Sequence, residues 1–206
     1  VDAAQATVAV EVTLNNGTAK GQEVAVESVV LNSEGIEVAS SIQKLNMPAN
    51  DQSVSRLNLH VENPSLWSPE SPVLYTLASK TIINGKTIDS DETRFGIRSL
   101  KFDPNDGFFL NGESTKLKGV CEHSDGGLAG AAIPERVLRR RLQILKEMGC
   151  NAIRVSHNPR RPVFYHLCDE MGIMVMDELF DGWGAKCSHD YGRHHFKDWW
   201  KTDVRD

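Results

Sequence analysis

Residues 151–178 read NAIRVSHNPRRPVFYHLCDEMGIMVMDE, and this stretch decides the fold of the second half of the chain. It contains a short apolar segment at 152–155, a helical pattern opened by Pro162, and a nearly all-apolar segment at 173–176. Strands that are apolar on both faces are typical of a parallel sheet buried under helices. The stretch therefore predicts a strand–helix–strand unit with parallel strands.

The same pattern extends upstream and downstream. Residues 115–120 are a strand candidate, and Pro134 then opens a helical stripe that Gly149 is placed to end. Residues 196–204 have the pattern of a further helix. The order strand, helix, strand, helix, strand with short connections predicts an α/β sheet or barrel.

Residues 1–98 follow a different period. Val8, Val10, Val12 and Leu14 alternate with more polar neighbours, as in a half-buried strand. Asn84-Gly85 separates two further runs and is a strong hairpin signal, because both turn positions need positive φ. Short strands at regular spacing predict an immunoglobulin-like antiparallel β-sandwich over residues 1–98, followed by a second domain over 99–206.

Composition excludes several classes of protein. The 206 residues are 40% hydrophobic and 25% charged, which excludes a disordered or collagen-like chain. A net charge of −5 without basic clustering argues against a nucleic-acid partner. No stretch approaches the ~18 apolar residues of a membrane span, and the first residues do not resemble a secretory signal. The sequence does not separate a periplasmic from a cytoplasmic location in a bacterium.

Polar residues follow each of the three predicted parallel strands. They are Glu122, His123 and Asp125; Ser156, His157 and Asn158; and Asp177 and Glu178. The carboxyl ends of parallel strands meet at one edge, where α/β enzymes place their chemistry. Packing alone rarely delivers His or carboxylate to three such ends, although a lone His there is often structural. Arg154, inside an apolar strand, needs a partner and is either architectural or substrate-facing.

Other clusters have more ordinary interpretations. A metal site could draw on His123 and Asp125, or on Cys187, His189, His194 and His195, but neither set has the spacing that makes a zinc site specific. The run 139–141, three arginines, is typical of a solvated helix face with one stem packed inward. The four cysteines form no recognisable framework, which favours reduced thiols.

Three stretches, in order, together resemble glycoside hydrolase family 2. The segment 151–159 (NAIRVSHNP), followed by the run into Asp177-Glu178, resembles the family's first signature. Residues 63–75 (NPSLWSPESPVLY) resemble the late-strand motif of its immunoglobulin-like domain. Residues 95–98 (FGIR), with 109–112 (FLNG) and 119–120, resemble the entry to its catalytic barrel. Residues 119–130 are most similar to the bacterial β-galactosidase branch.

The resemblance implies a fold and a reaction. The fold is an immunoglobulin-like sandwich followed by the first three β/α units of a truncated (β/α)8 barrel, and the reaction is retaining hydrolysis of terminal β-galactosides in an oligosaccharide or glycoconjugate. β-Glucuronidase and β-mannosidase are alternatives within the family. A whole barrel takes ~250 residues, so we expect a fragment that also lacks the family's preceding sugar-binding-like domain. We expect the open edge of its partial barrel to promote homo-oligomers.

The resemblance also assigns roles to residues. His123, Asp125, His157 and Asp177 would contact the sugar, while Arg154 and Glu178 would lie behind them and orient the reacting groups. The family's acid/base, a Glu preceded by Asn, and its nucleophile, a second Glu, would lie beyond Asp206, so the fragment alone is expected to be inactive. Some relatives use Mg²⁺ or Na⁺, and either ion is an open alternative for the full-length enzyme, with no cofactor assigned from this sequence.

The chain departs from the family pattern at two places. Cys121-Glu122 stands where many members have Asn-Arg, and Asn158 replaces a common Tyr. A non-catalytic carbohydrate-binding or adhesion module is the alternative of a different class.

Overall fold

The computed structural model describes residues 4–184 and 191–205. These residues divide into two compact units between Thr115 and Lys116. The predicted domain boundary at residue 98 stays a prediction, since a small sheet that follows it clusters with the first unit.

The first unit is built from antiparallel strands. Its main strands are β1 (Gln5–Asn16), β2 (Gln22–Leu31), β3 (Glu37–Met47), β4 (Asp51–Glu62), β5 (Tyr75–Ile83) and β6 (Lys86–Phe95). One sheet pairs β1 with β4, and the other has the order β3-β2-β5-β6. All of these pairings are antiparallel, which confirms the expected arrangement.

Alternating burial explains why these residues form strands that enclose a core. Along β2, Val24, Val26, Ser28 and Val30 are almost fully buried, and the residues that alternate with them are more exposed. The three valines pack with Leu59 and Val61 of β4 in a single apolar cluster. Burying one face of each strand fixes its register, because a slip of one residue would turn that face to water.

The predicted hairpin joins β5 and β6. Asn84 and Gly85 are the two residues between the strands, and both have positive φ, 51° and 75°. Asn and Gly adopt this backbone conformation at lower cost than other residues, so the dipeptide fits a tight two-residue turn.

A small third sheet follows, with the order β7-β8-β9. Its strands are β7 (Leu100–Asp103), β8 (Gly107–Leu110) and β9 (Glu113–Ser114). The Asn111 amide donates to the carbonyl of buried Trp67 and accepts from the Ser99 N–H, at 3.0 and 2.9 Å. Arg98 lies over the Trp67 ring, 4.7 Å from its centroid. These contacts join the third sheet to the segment between β4 and β5.

The second unit contains three strands, one 3-10 helix and four α-helices among its described residues. They are β10 (Gly119–His123), the 3-10 helix Gly127–Ala129, α1 (Glu135–Glu147), β11 (Ala152–Ser156), α2 (Pro162–Met171), β12 (Met174–Met176), α3 (Tyr191–His194) and α4 (Phe196–Asp203). The strands pair in the order β10-β11-β12, and both pairings are parallel, as expected from the apolar strands. Gly119, Ala152 and Met174 lie side by side in the register.

Helices α1 and α2 cover one face of this sheet. Leu138, Leu142 and Leu145 of α1 and Phe164 and Leu167 of α2 are buried with the strand residues beneath them. Pro162 opens α2, as the sequence predicted, and Gly172, at φ 69°, ends it. None of the helices in the described ranges is long and apolar enough to cross a membrane.

The first strand of this sheet lies further along the chain than predicted. The sequence indicated 115–120, whereas β10 spans Gly119–His123. The polar residues Glu122 and His123 suggested a loop, but pairing with β11 continues through them as far as Ser156. Pairing with β11, which lies far away in sequence, stabilises these polar residues in a strand.

Candidate functional site

The carboxyl ends of the three parallel strands bring two imidazoles together. His123 ends β10 opposite Ser156, the last residue of β11, and His157 follows directly. The rings of His123 and His157 are 5.2 Å apart, with an interplanar angle of 83°. The Ser156–His157 peptide bond is cis. The two His residues that the sequence assigned to one edge therefore lie in contact.

Glu178, just after β12, holds the second of these imidazoles. Its Oε2 lies 2.6 Å from His157 Nδ1, and Asp181 Oδ1 lies 3.9 Å from the same nitrogen. The carboxylate of Glu178 also forms an ion pair with Arg154. The hydrogen bond to His157 and the nearby Arg154 guanidinium lower the pKa of Glu178 below its ordinary value. Glu178 thus stays ionised and binds both His157 and Arg154.

Arg154 projects from the sheet face opposite α1 and α2. Ile153 and Val155 are buried under the helices, so strand alternation places Arg154 on the other face. There its Nη1 lies 3.3 Å from Cys121 Sγ, and it pairs with Glu178. The hydrogen bond to Cys121 and the pairing with Glu178 raise the pKa of Arg154. Arg154 is therefore paired, and the choice between an architectural and a substrate-facing role stays a prediction.

Asp177 is bound by a residue of helix α2. Tyr165 of α2 donates its hydroxyl proton to Asp177 Oδ2 at 2.7 Å and accepts the Arg160 N–H at 2.8 Å. Burial, together with the Asp177 carboxylate, raises the pKa of the Tyr165 hydroxyl. The phenol therefore remains a donor to Asp177 across the ordinary range of pH.

Asp125 lies in the exposed loop after β10. Its Oδ1 accepts the Gly127 N–H at 2.8 Å, and its carbonyl accepts from Arg141 at 2.7 Å. Both of these hydrogen bonds shape the loop, and the assignment of Asp125 to the sugar stays a prediction.

The expectation for Glu122 was wrong. The sequence placed it at the same edge as Asp125, but its side chain is buried on the helix side of the sheet. Arg141 of α1 and Arg160 of the loop after β11 both bind its carboxylate. In a strand, neighbouring side chains point to opposite faces, so Cys121 takes the inner face and Glu122 the outer one.

Sequence reasoning missed Arg160. Its side chain is only 7% exposed, an unusual burial for an arginine, and it contacts both β10 and β11. The available signal was a basic pair, Arg160-Arg161, in the short loop between a strand end and Pro162.

The metal interpretation finds no support at these strand ends. Across residues 4–184 and 191–205, no three His, Cys, Asp or Glu side chains are grouped so that they could hold a metal ion. His194 and His195 lie at the end of α3 and just after it, with their rings 6.2 Å apart. Cys187 and His189 lie outside the described residues.

Comparison with known families decides the assignment. The model for glycosyl hydrolases family 2 matches residues 1–98, and the model for the TIM barrel domain of the same family matches residues 104–196. The chain belongs to glycosyl hydrolases family 2. Strands β1 to β6 lie within the first match, the family's sandwich domain, and the parallel strands lie within the second, the family's barrel domain.

Named members of the family align with nearly the whole chain. The β-galactosidase BoGH2A of Bacteroides ovatus is 44% identical over 100% of this chain and 24% of its own length. A Formosa agariphila protein, provisionally named as a β-glucuronidase, is 46% identical over 92% of this chain and 18% of its own length. The chain therefore spans about a fifth to a quarter of these family-2 relatives.

A solved family-2 structure has the same fold. The family-2 member from Bacteroides cellulosilyticus superimposes with a TM-score of 0.91 at 34% identity. The match covers 99% of this chain and 26% of that one. The sandwich and the parallel strands thus each have a counterpart in a known family member.

Proposed function

We propose that this chain belongs to an exo-acting retaining β-glycosidase whose substrates are terminal β-galactosides. The observation that carries the proposal is the pair His123–His157, backed by Glu178 and Arg154, at the carboxyl ends of parallel strands in a family-2 barrel domain. Active sites of such barrels lie at this face. In the proposal, β10, β11 and β12 belong to the first three β/α units.

The site residues would bind and orient the sugar. Because Nδ1 of His157 faces Glu178, the other ring nitrogen, Nε2, is the one we assign to a sugar hydroxyl. Hydrogen bonds of this kind strengthen as the sugar ring approaches the oxocarbenium-like transition state, and this lowers the barrier to hydrolysis. His123, Asp125 and Asp177 would line the same pocket, and Arg154 and Glu178 would support it from behind.

The reacting carboxylates are assigned elsewhere. Retaining glycosidases use two carboxyl groups ~5–5.5 Å apart, one as nucleophile and one as acid/base. Here Glu178 is bound to His157 and Arg154, and Glu122 is bound to two arginines on the far face. We assign the nucleophile and the acid/base to Glu residues beyond Asp206 in the complete protein. The 206-residue chain alone would then bind sugar weakly, without turnover.

The charges favour a neutral sugar over an acidic one. A glucuronide would require a cation to receive the carboxylate at C6. Arg154, which shares the Glu178 carboxylate with His157 on the inner face, is already paired. β-Glucuronidase is the second candidate, supported by the name of the Formosa agariphila relative.

A substrate panel on the complete encoded protein tests the proposal. Aryl β-galactoside, β-glucuronide and β-mannoside are compared by kcat/KM, and the anomer released first is read by NMR. We expect the β-galactoside to be the best substrate, with retention of configuration. A preference for the glucuronide would select the second candidate. Sugar binding without hydrolysis of any of the three, with an open frame that never reaches an Asn-Glu pair, would indicate a binding module.

A further inference from the structure

The guanidinium of Arg160 bridges the ends of two neighbouring strands. Its Nη2 donates to the Glu122 carbonyl of β10 and, at 3.2 Å, to the Ser156 carbonyl of β11. Both bonds are made to the main chain, so they act on the position of the strand ends themselves. A buried backbone carbonyl needs a hydrogen-bond donor, and the guanidinium supplies one to each strand.

These two carbonyls have a special place in the chain. Glu122 directly precedes His123, and Ser156 directly precedes His157. Each peptide group held by Arg160 is therefore the one that carries the nitrogen of a site histidine. One guanidinium thus binds the main chain next to both histidines. The centroids of the two imidazole rings are 5.2 Å apart, in an edge-to-face contact.

A buried counter-charge holds Arg160 in this position. Its Nε and Nη2 lie 3.3 and 3.1 Å from Glu122 Oε2, and Arg141 binds the other oxygen of that carboxylate. The side chains of Arg160 and Glu122 are 7% and 8% exposed. A planar guanidinium can satisfy several acceptors in fixed directions at once, which a lysine ammonium on a flexible stem does less well.

The third strand is connected through the same residue. The main-chain N–H of Arg160 donates to the Tyr165 hydroxyl, and this hydroxyl in turn donates to Asp177 just after β12. Arg160 is therefore in contact with β10 and β11 and is one side chain away from the end of β12.

We propose that Arg160 is a positioning residue that sets the spacing and angle of His123 and His157 from behind the sheet. The role in catalysis rests on the proposed glycosidase function, whereas the effect on the two rings does not. Misplacing a group by about 1 Å can cost about a hundredfold in rate, which sets the size of effect to expect.

Arg160→Lys in the complete protein tests the proposal, with Arg161→Lys as the matched control. Arg161 is the next residue, and its guanidinium binds the Ile133 carbonyl instead of a strand carbonyl. Crystal structures of both variants give the separation of the His123 and His157 rings, and kinetics with an aryl β-galactoside give kcat and KM. Thermal unfolding is measured in parallel.

The expected result separates positioning from mere support. Arg160→Lys should move the two rings apart or out of their edge-to-face angle and lower kcat about a hundredfold with KM changed less than about threefold, at a temperature where both proteins are fully folded. Arg161→Lys should change none of these. Unchanged ring geometry in Arg160→Lys would overturn the proposal, as would a loss of activity that only follows a fall in Tm.

Two further outcomes are also decisive. If Arg160→Lys does not fold, Glu122→Gln takes its place, since it keeps the volume and both carbonyls but removes the charge that holds Arg160. Displaced rings in that variant support the proposal, and undisplaced rings overturn it. If the parent hydrolyses no glycoside, the proposed function fails, while the ring geometry still decides the role of Arg160.

Discussion

His157 and Glu178 are joined by a hydrogen bond of 2.6 Å between Nδ1 and Oε2, across two neighbouring strand ends. Because the same carboxylate pairs with Arg154, one acidic side chain holds an imidazole at the edge of the sheet and a guanidinium on its inner face. The bond also leaves Nε2 as the ring nitrogen of His157 that Glu178 does not occupy.

Glu178→Gln should remove the pH-dependent part of this arrangement. The pKa of Glu178 is lowered in the folded protein by the His157 hydrogen bond and by Arg154, from an ordinary value of 4.5. A lowered pKa adds stability above the ordinary value, and this stability is lost as the pH falls through the lowered one. The parent should therefore exceed the variant in Tm at pH 7, and the difference should vanish well below pH 4.5.

Glu147→Gln is the control for that experiment, because Glu147 lies exposed at the end of α1. Its Tm should follow that of the parent at every pH. A difference between the parent and Glu178→Gln that is the same at pH 7 and at about pH 3.5 would show that the charge on Glu178 does not stabilise the fold.

His157→Gln should lower the rate of glycoside hydrolysis in the complete protein. Contacts to sugar hydroxyls that strengthen in the transition state supply several kcal/mol, so losing one should reduce kcat/KM about a hundredfold. The measurement is steady-state kinetics with an aryl β-galactoside. His166→Gln, at an exposed position of α2, should leave kcat/KM within about twofold. Equal kinetics for the two variants would remove His157 from the site.

The fold of both units could be predicted from local patterns. Alternating apolar residues from Val8 to Leu14 indicated β1, Asn84-Gly85 indicated the hairpin, and Pro162 indicated the start of α2. These signals work because they involve neighbours in sequence. The start of β10 was misplaced because its polar end residues become acceptable only through partners that the local pattern does not contain.

The site was predictable in its position but not in its internal contacts. Parallel strand ends converge by geometry, so His123 and His157 could be placed at one edge. The pairing of Glu122 with Arg141 and Arg160 spans 19 and 38 residues of sequence, and no periodicity reports such a contact. Strand alternation could have assigned Glu122 to the helix side if the bounds of β10 had been correct.

Gly119→Ala should destabilise the second unit. A Cβ at Gly119 would lie 1.9 Å from the Ala152 carbonyl oxygen, so the first paired residues of β10 and β11 would have to separate. Overpacking of this kind typically costs about 1–3 kcal/mol, and we expect a loss at the upper end because the obstructing atom is backbone. Urea denaturation measures the free energy of unfolding.

Gly184→Ala is the matched control in the same unit, since a Cβ there meets no described atom within 4 Å. Its free energy of unfolding should lie within about 0.5 kcal/mol of the parent. If both alanine variants unfold at the same urea concentration as the parent, the close approach of β10 to β11 is not present in solution.

Two cysteines of the second unit should differ in reactivity with iodoacetamide, and one of them reports on the rest of the barrel. Cys168 is buried, and this burial raises the pKa of its thiol to about 12, so it should be alkylated at about pH 8 only after unfolding. Cys121 is exposed on the inner face of the sheet beside Arg154, where a cavity of about 180 Å³ opens.

In the 206-residue chain, therefore, Cys121 should be alkylated in the folded state, as read by mass spectrometry of its peptide. In the complete protein the same thiol should become protected, because the proposed barrel closes over that face and fills it with side chains. Cys121→Ser removes the signal and confirms the peptide. Rapid alkylation of Cys121 in the complete folded protein would mean that these three strands do not form the interior wall of a closed barrel.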